Sequence, residues 1–162
     1  VYKTYQALVD GQLTDRDLEP LRRGIELDDG LCQPAICRVI TPREAEAVAP
    51  QGVKPGTTAV EVIIREGRKN QVKRMLSKIH HPVIRLHRCN FAGLELKDVA
   101  KGSWRELTDR EVQILKSGGI PPKQASAMRG GKPQETPASR TRHHGSHGSA
   151  PKRNNYRERY TG

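Results

Sequence analysis

The stretch that most limits how this chain can fold is residues 59–79. Ala59 to Ile64 is an apolar run, and Val60, Val62 and Ile64 alternate with Glu61 and Arg65, the period of a strand with one face buried. Glu66-Gly67-Arg68-Lys69-Asn70 follows as a Gly-containing corner. Beyond it Val72, Met75, Leu76 and Ile79 recur at i, i+3, i+4 and i+7, one apolar face of a helix, while Lys69, Lys73, Arg74 and Lys78 fall elsewhere. The pattern predicts a strand, a tight turn and a short basic helix. Such a corner can hold a cationic side chain toward an anionic group in a cleft.

The remaining segments supply partners for that unit. Val1 to Val9 reads as a strand in which Tyr5, Ala7 and Val9 share a face. Asp10-Gly11 is a turn. Thr14 is placed as an N-cap with Asp17 at the third position, and Leu18 and Leu21 give a short helix its apolar side, closed by Gly24. After the Asp28-Asp29-Gly30 turn, Leu31 to Thr41 is expected as a second strand. Residues 42–56 read as an exposed connection with a short helical attempt at 43–47. Thr57 to Arg65 is the third strand. Pro82 ends the basic helix, and Val83 to Asn90 is the fourth strand. Gly93 turns into a short apolar segment, Leu94 to Leu96. Thr108 and Glu111 form a capping box for a last helix to about Lys116, with Val112 and Leu115 inward. These elements predict an α+β body over 1–117, a mixed or antiparallel sheet with helices packed on it.

Residues 118–162 are of another kind. They hold nine Lys and Arg against two Glu, a local excess of +7 within a net charge of +11. Gly, Pro, Ser, Arg and His dominate, so a disordered basic tail with loose, salt-sensitive affinity for nucleic acid is expected. A chain this basic points to a polyanionic partner, RNA or DNA first. One Phe and one Trp argue against a broad aromatic platform for single strands. Three cysteines without a CxxC pair read as reduced thiols and a cytoplasmic setting. No apolar run is long enough for a membrane helix. His80-His81, and His143-His144 with His147, lack partners in ligand spacing, so no metal is expected. Nor does any Gly-rich phosphate loop precede a helix. Trp104 and Arg105 read as packing residues.

Taken in order, Lys3-Thr4-Tyr5, Pro34-Ala35, Glu66 to Met75, Leu86-His87-Arg88, Gly93, Leu96 and Gly102-Ser103-Trp104-Arg105-Glu106-Leu107-Thr108 resemble the C-terminal half of the catalytic domain of the RsuA-type RNA pseudouridine synthases. The resemblance spans about residues 1–116. Family members carry a nucleophilic Asp in a G-R-L-D-x-x-T-x-G-L-L segment ahead of the K-x-Y strand, and many carry an S4-like RNA-binding domain. Neither is present in this sequence. The resemblance therefore implies a fragment that does not catalyse the reaction unaided.

It also implies roles. Lys73 corresponds to the basic residue that pairs with the catalytic Asp, and an opposite charge within 4–6 Å favours the ionised carboxylate. Tyr5 corresponds to the active-site Tyr against the target base. Arg68, Lys69, Asn70 and Arg74 suit phosphate contacts around the corner. Arg85 and His87 share one face of their strand and Arg88 takes the other, so one of these two arginines is expected to meet RNA. The intact protein is then expected to convert specific uridines in structured RNA, ribosomal RNA foremost, to pseudouridine, as a monomer without cofactor or metal. The competing expectation is a non-catalytic RNA-binding or ribosome-assembly protein with the same fold.

Overall fold

The structure, a computed structural model, describes residues 1–96 and 99–122. The basic stretch from residue 123 on, including His143, His144 and His147, lies outside the described residues.

The centre is β1 (Lys3–Asp10), flanked on one side by β5 (Thr57–Ile64) and on the other by β6 (Val83–Phe91), both antiparallel to it. With β4 (Ile36–Val39) beyond β5 and β7 (Leu94–Glu95) beyond β6, the five-stranded order is β4-β5-β1-β6-β7. Every pairing is antiparallel. Because β5 and β6 both oppose β1, they run parallel to each other. The chain must therefore cross over β1 between them, and α2 (Gln71–Lys78) is that crossover.

One face of the sheet carries the main core. Ala7 and Val9 of β1, Val60, Val62 and Ile64 of β5, and Val72, Met75 and Leu76 of α2 are buried together with Leu18, Leu21 and Leu27. The α2 triplet is the i, i+3, i+4 stripe read from the sequence. On the opposite face Ile40, Ala45, Val48, Ala49 and Ala59 form a second, smaller cluster. Residues 42–56 are thus not simply an exposed connection. Thr41 N–H donates to Glu44 Oε2 at 2.8 Å, Glu44 N–H donates back to Thr41 Oγ1, and Ala45 N–H reaches the Thr41 carbonyl. This local turn, capped like a helix start, swings Ala45, Val48 and Ala49 onto the sheet.

Two expected elements are split, each at a proline. The helix expected from Thr14 to Gly24 is a 3₁₀ turn, Asp15–Leu18, followed by α1 (Glu19–Arg23). Pro20 has no N–H and fits only in the first turn of a helix, so a new helix starts just before it. The strand expected over 31–41 becomes a hairpin, β2 (Glu26–Leu27) with β3 (Gly30–Leu31), then β4. Pro34 lies between them. The flanking Gln33 and Ala35 amides are satisfied outside the sheet, by Glu66 Oε1 at 3.0 Å and the Leu21 carbonyl at 2.9 Å.

β6 turns into β7 through Ala92 and Gly93, with φ of 57° and 96°. A two-residue loop with both φ positive matches the twist of a hairpin. A Cβ on Gly93 would sit 2.8 Å from Ile120 Cβ, so glycine also makes room for the chain after α3 (Asp109–Lys116). There Gly119 N–H donates to Ile114 O and Ile120 N–H to Ala92 O, both at 2.8 Å. Thr108 caps α3 as expected, but Val112 and Leu115 are only half-buried.

Candidate RNA-modifying groove

The corner between β5 and α2 is held by a side-chain network. Glu66 Oε2 accepts from Gln71 Nε2 at 2.6 Å, and Glu66 Oε1 accepts from the Gln33 amide. Gln71 is buried; its Oε1 in turn accepts from the Arg68 amide. Asn70 takes the left-handed conformation, φ 50°, which Asn tolerates better than bulkier residues and which turns the chain into the helix. Lys3 Nζ crosses from β1 to donate to the Glu66 carbonyl at 2.9 Å. The Lys3 amine passes so close that a Cβ on Gly67 would lie 3.1 Å from it. The glycine in the corner is therefore the space that the lysine uses.

This arrangement leaves a groove of about 310 Å³. Its floor is Tyr5, Ile64, Val72 and Leu86, and its polar rim is Lys3, Glu66, Arg68, Asn70, Gln71 and Arg88. The β1–β6 register explains the far wall. Tyr5 pairs with Arg88, so both project on the helix-bearing face. Arg85 pairs with Leu8 and falls on the opposite face, with His87 beside Gln6. Of the two arginines left open in the sequence, this register puts Arg88 in the groove lining and Arg85 outside it.

The structure brings only some of the expected site residues together. Tyr5, Arg68, Asn70 and Arg88 come together around the groove. Lys73 is exposed on α2, one residue past the groove-lining Val72, and is not itself in the lining; Lys69 is likewise exposed and outside it. Arg68 and Arg74 already have protein partners. Arg68 donates to the Gly30 and Leu31 carbonyls at 2.9 and 2.7 Å and pairs with Asp29. Arg74 donates to the Lys69 carbonyl at 3.0 Å and to Asp29 Oδ2 at 2.9 Å. The two guanidiniums therefore clamp the β2–β3 hairpin to the corner. The Arg74 hydrogen bond holds the Asp29 carboxyl below its ordinary range.

Sequence reading gave no role to Glu66 and Gln71, the network that fixes the corner, and used Lys3 only as a motif letter. Glu-x₄-Gln across a Gly-Arg corner was the available signal: two long polar side chains five apart, one of them at the first position of a helix. Glu66 is the groove's carboxylate among the described residues, and both its oxygens are engaged. No helix among the described residues is long and apolar enough to cross a membrane.

The chain is 41% identical over 109 residues to a ribosomal large subunit pseudouridine synthase E from Vibrio vulnificus, a match covering 65% of this chain and 47% of that protein. It is 36% identical over 115 residues to a ribosomal large subunit pseudouridine synthase B from Bacillus subtilis, covering 71% and 43%. Against a ribosomal small subunit pseudouridine synthase A from Escherichia coli the figures are 34% over 113 residues, 68% and 42%. In sequence and in fold the chain is similar to RsuA-type pseudouridine synthases. A solved pseudouridylate synthase, 24% identical, superposes with a TM-score of 0.57 over 70% of this chain and 44% of that one, and so shares the fold. No family model matches. The chain spans a little under half the length of these relatives.

Proposed function

We propose that the protein containing this chain is an RNA pseudouridine synthase, acting on uridines of structured RNA and of ribosomal RNA in particular. The observation that carries the reading is the groove. One aromatic ring, Tyr5, lies on its floor, and cationic side chains, Lys3 and Arg88, stand on its rim. A uracil in a duplex is inaccessible to chemistry on its glycosidic bond, so the nucleotide must leave its stack and enter a pocket. Tyr5 offers that base a flat contact. Lys3, Asn70, Lys69 and Arg88 suit the phosphates beside it, whereas Arg68 and Arg74 act as braces, since phosphate contact would break their bonds to the hairpin.

The reaction is an isomerisation. The bond from the sugar to N1 of uracil breaks, the base turns, and a bond to C5 forms; C5 loses its proton and N1 gains one. Glu66, the groove's carboxylate among the described residues, is engaged in the corner, so the attack is assigned to an Asp outside this groove lining. Lys73, in the first turn of α2, is assigned to hold that carboxylate ionised. The turn has no acidic residue of its own, and helix polarity at this end also favours an anion.

Release of tritium from C5-labelled uridine in ribosomal RNA tests this in the natural protein. Lys73→Ala is expected to abolish release while RNA affinity stays within about tenfold, the scale of losing one exposed charge contact. Undiminished single-turnover release would remove Lys73 from the site and transfer its role to Lys3, the lysine already on the rim. RNA binding with no tritium release from the unmutated protein would instead leave an RNA-binding protein that keeps the fold without the reaction.

A further inference from the structure

A second groove, of about 320 Å³, opens on the far side of Arg88. Phe91, Leu96 and Leu107 contribute apolar walls, and all three are exposed. Trp104 stands among them 82% exposed. The packing role expected for this residue is therefore not what the described residues show: an indole with apolar neighbours on hand is left facing water. Arg88 lines both grooves, and its guanidinium lies 5.4 Å from the centroid of the Phe91 ring. Arg105, also in this lining, is bonded through both terminal nitrogens to Glu111 at 2.8 and 2.6 Å, which steadies the segment carrying Trp104.

We propose that this groove takes an unpaired base of the same RNA strand, stacked on Trp104, next to the nucleotide held at Tyr5. The inference rests on the RNA reading of the Tyr5 groove and adds a second subsite to it. Three observations favour a nucleobase. An exposed indole beside a second aromatic ring is the flat, sequence-tolerant surface on which single-stranded bases stack. An arginine that already faces a ring can also pair with a phosphate, and this one stands where a strand running from one groove to the other would pass. The net charge of +11, of which +7 lies in residues 118–162, draws an RNA backbone to the protein as a whole. Glu95, also in the lining, would meet that strand unfavourably, so the stack is placed at the Trp104 end.

Trp104 is the sole tryptophan in the sequence, so its emission reports on this groove alone. The experiment titrates the full chain with a short single-stranded oligouridylate and with an abasic oligomer of equal phosphate number. Saturable quenching by the first, and at least severalfold less by the second at equal occupancy, is the expected result. Trp104→Ala should weaken oligouridylate binding roughly five- to hundredfold, the range for losing one base stack, and Trp104→Phe should restore most of it. In the tritium-release assay Trp104→Ala should raise KM and leave kcat unchanged. Equal quenching by the two oligomers would overturn the proposal. So would emission that is already blue-shifted and dependent on protein concentration without RNA, which would mean that protein covers the indole. Base-dependent quenching without tritium release would refute the enzyme reading alone, and tritium release with an unchanged KM in Trp104→Ala would refute this subsite alone.

Discussion

Two helices of equal length behave in opposite ways in this molecule. α3 has the better local chemistry: Thr108 accepts from the Glu111 amide, Glu111 returns a bond to the Thr108 amide at 2.8 Å, and Arg105 pairs with Glu111. Yet α3 buries no residue fully. α2 enters from a left-handed Asn70 with no side-chain cap, but buries Gln71, Val72, Met75 and Leu76. Local signals start a helix, and tertiary burial of one face makes it permanent. The Tyr5 groove is bounded by the permanent helix and the Trp104 groove lies beside the locally stabilised one. Under the proposed reading, the groove that holds the reacting atoms is on the rigid part and the surface for a second base is on the adaptable part.

The contrast breaks first, if it is wrong, in the core. Leu76→Ala removes a fully buried side chain and should destabilise the body by about 2–5 kcal/mol in chemical denaturation. Leu115→Ala, from a half-buried position on α3, should cost less than half as much. Equal losses would show that α3 is as integral to the core as α2. Next comes the corner. Gln71→Ala leaves Glu66 Oε2 and the Arg68 amide without their partner, at about 1–3 kcal/mol. It should also disturb the Tyr5 groove, visible as altered Tyr5 ring resonances. A stability loss with an unmoved ring would show the network to be structural only.

How far the sequence reveals this depends on whether a feature is local. The α2 stripe, the Gly24 and Gly93 turns and the Thr108 box depend on neighbours within four residues, and they are found where the pattern puts them. Features set by distant pairing are not readable in that way. The Arg85/Arg88 choice depends on irregularities in the β1–β6 register, at Thr4/Tyr5 and Leu8/Val9. The use of Arg68 and Arg74 as braces depends on a hairpin about forty residues earlier bringing Asp29 to them. The exposed Trp104 defeats an expectation drawn from residue type alone, because whether an indole is covered depends on what the fold leaves nearby.

At α3 the effects become smaller and local. Thr108→Ala should cost about 1 kcal/mol, confined to faster amide exchange in the helix. Acid should likewise speed amide exchange in the helix. The hydrogen bond from Arg105 holds the Glu111 carboxyl down at about 2, against an ordinary 4.5, with the Thr108 amide adding to it. A depressed carboxylate stabilises the folded form above about 4.5, and that contribution is lost as pH falls through about 2. Carboxyl resonances should show Glu111 titrating near the lower value, and Arg105→Ala should return it toward 4.5. The same test applies at the opposite end of the sheet, where Glu44 is held at about 2 chiefly by Arg38. If α3 amides keep their protection below the Glu111 transition, the helix is fixed by contacts other than its cap.

The smallest effect separates position from stability at the corner itself. Gly67 is not among the glycines with positive φ, so alanine is not strained there by the backbone; the conflict is with the Lys3 amine at 3.1 Å. A flexible lysine end can give way by a few tenths of an ångström, so Gly67→Ala should change stability by no more than about 0.5 kcal/mol. The lengthening falls, however, on the bond from Lys3 Nζ to the Glu66 carbonyl, which ties β1 to the corner over Tyr5. The expected signature is near-normal unfolding with weaker RNA binding at the Tyr5 groove and unchanged Trp104 quenching. If both grooves weaken together, Arg88 transmits the shift from one to the other, and the rigid and adaptable halves are one unit. If neither changes, the lysine contributes to the groove only as a diffuse charge, and its hydrogen bond to the corner is incidental.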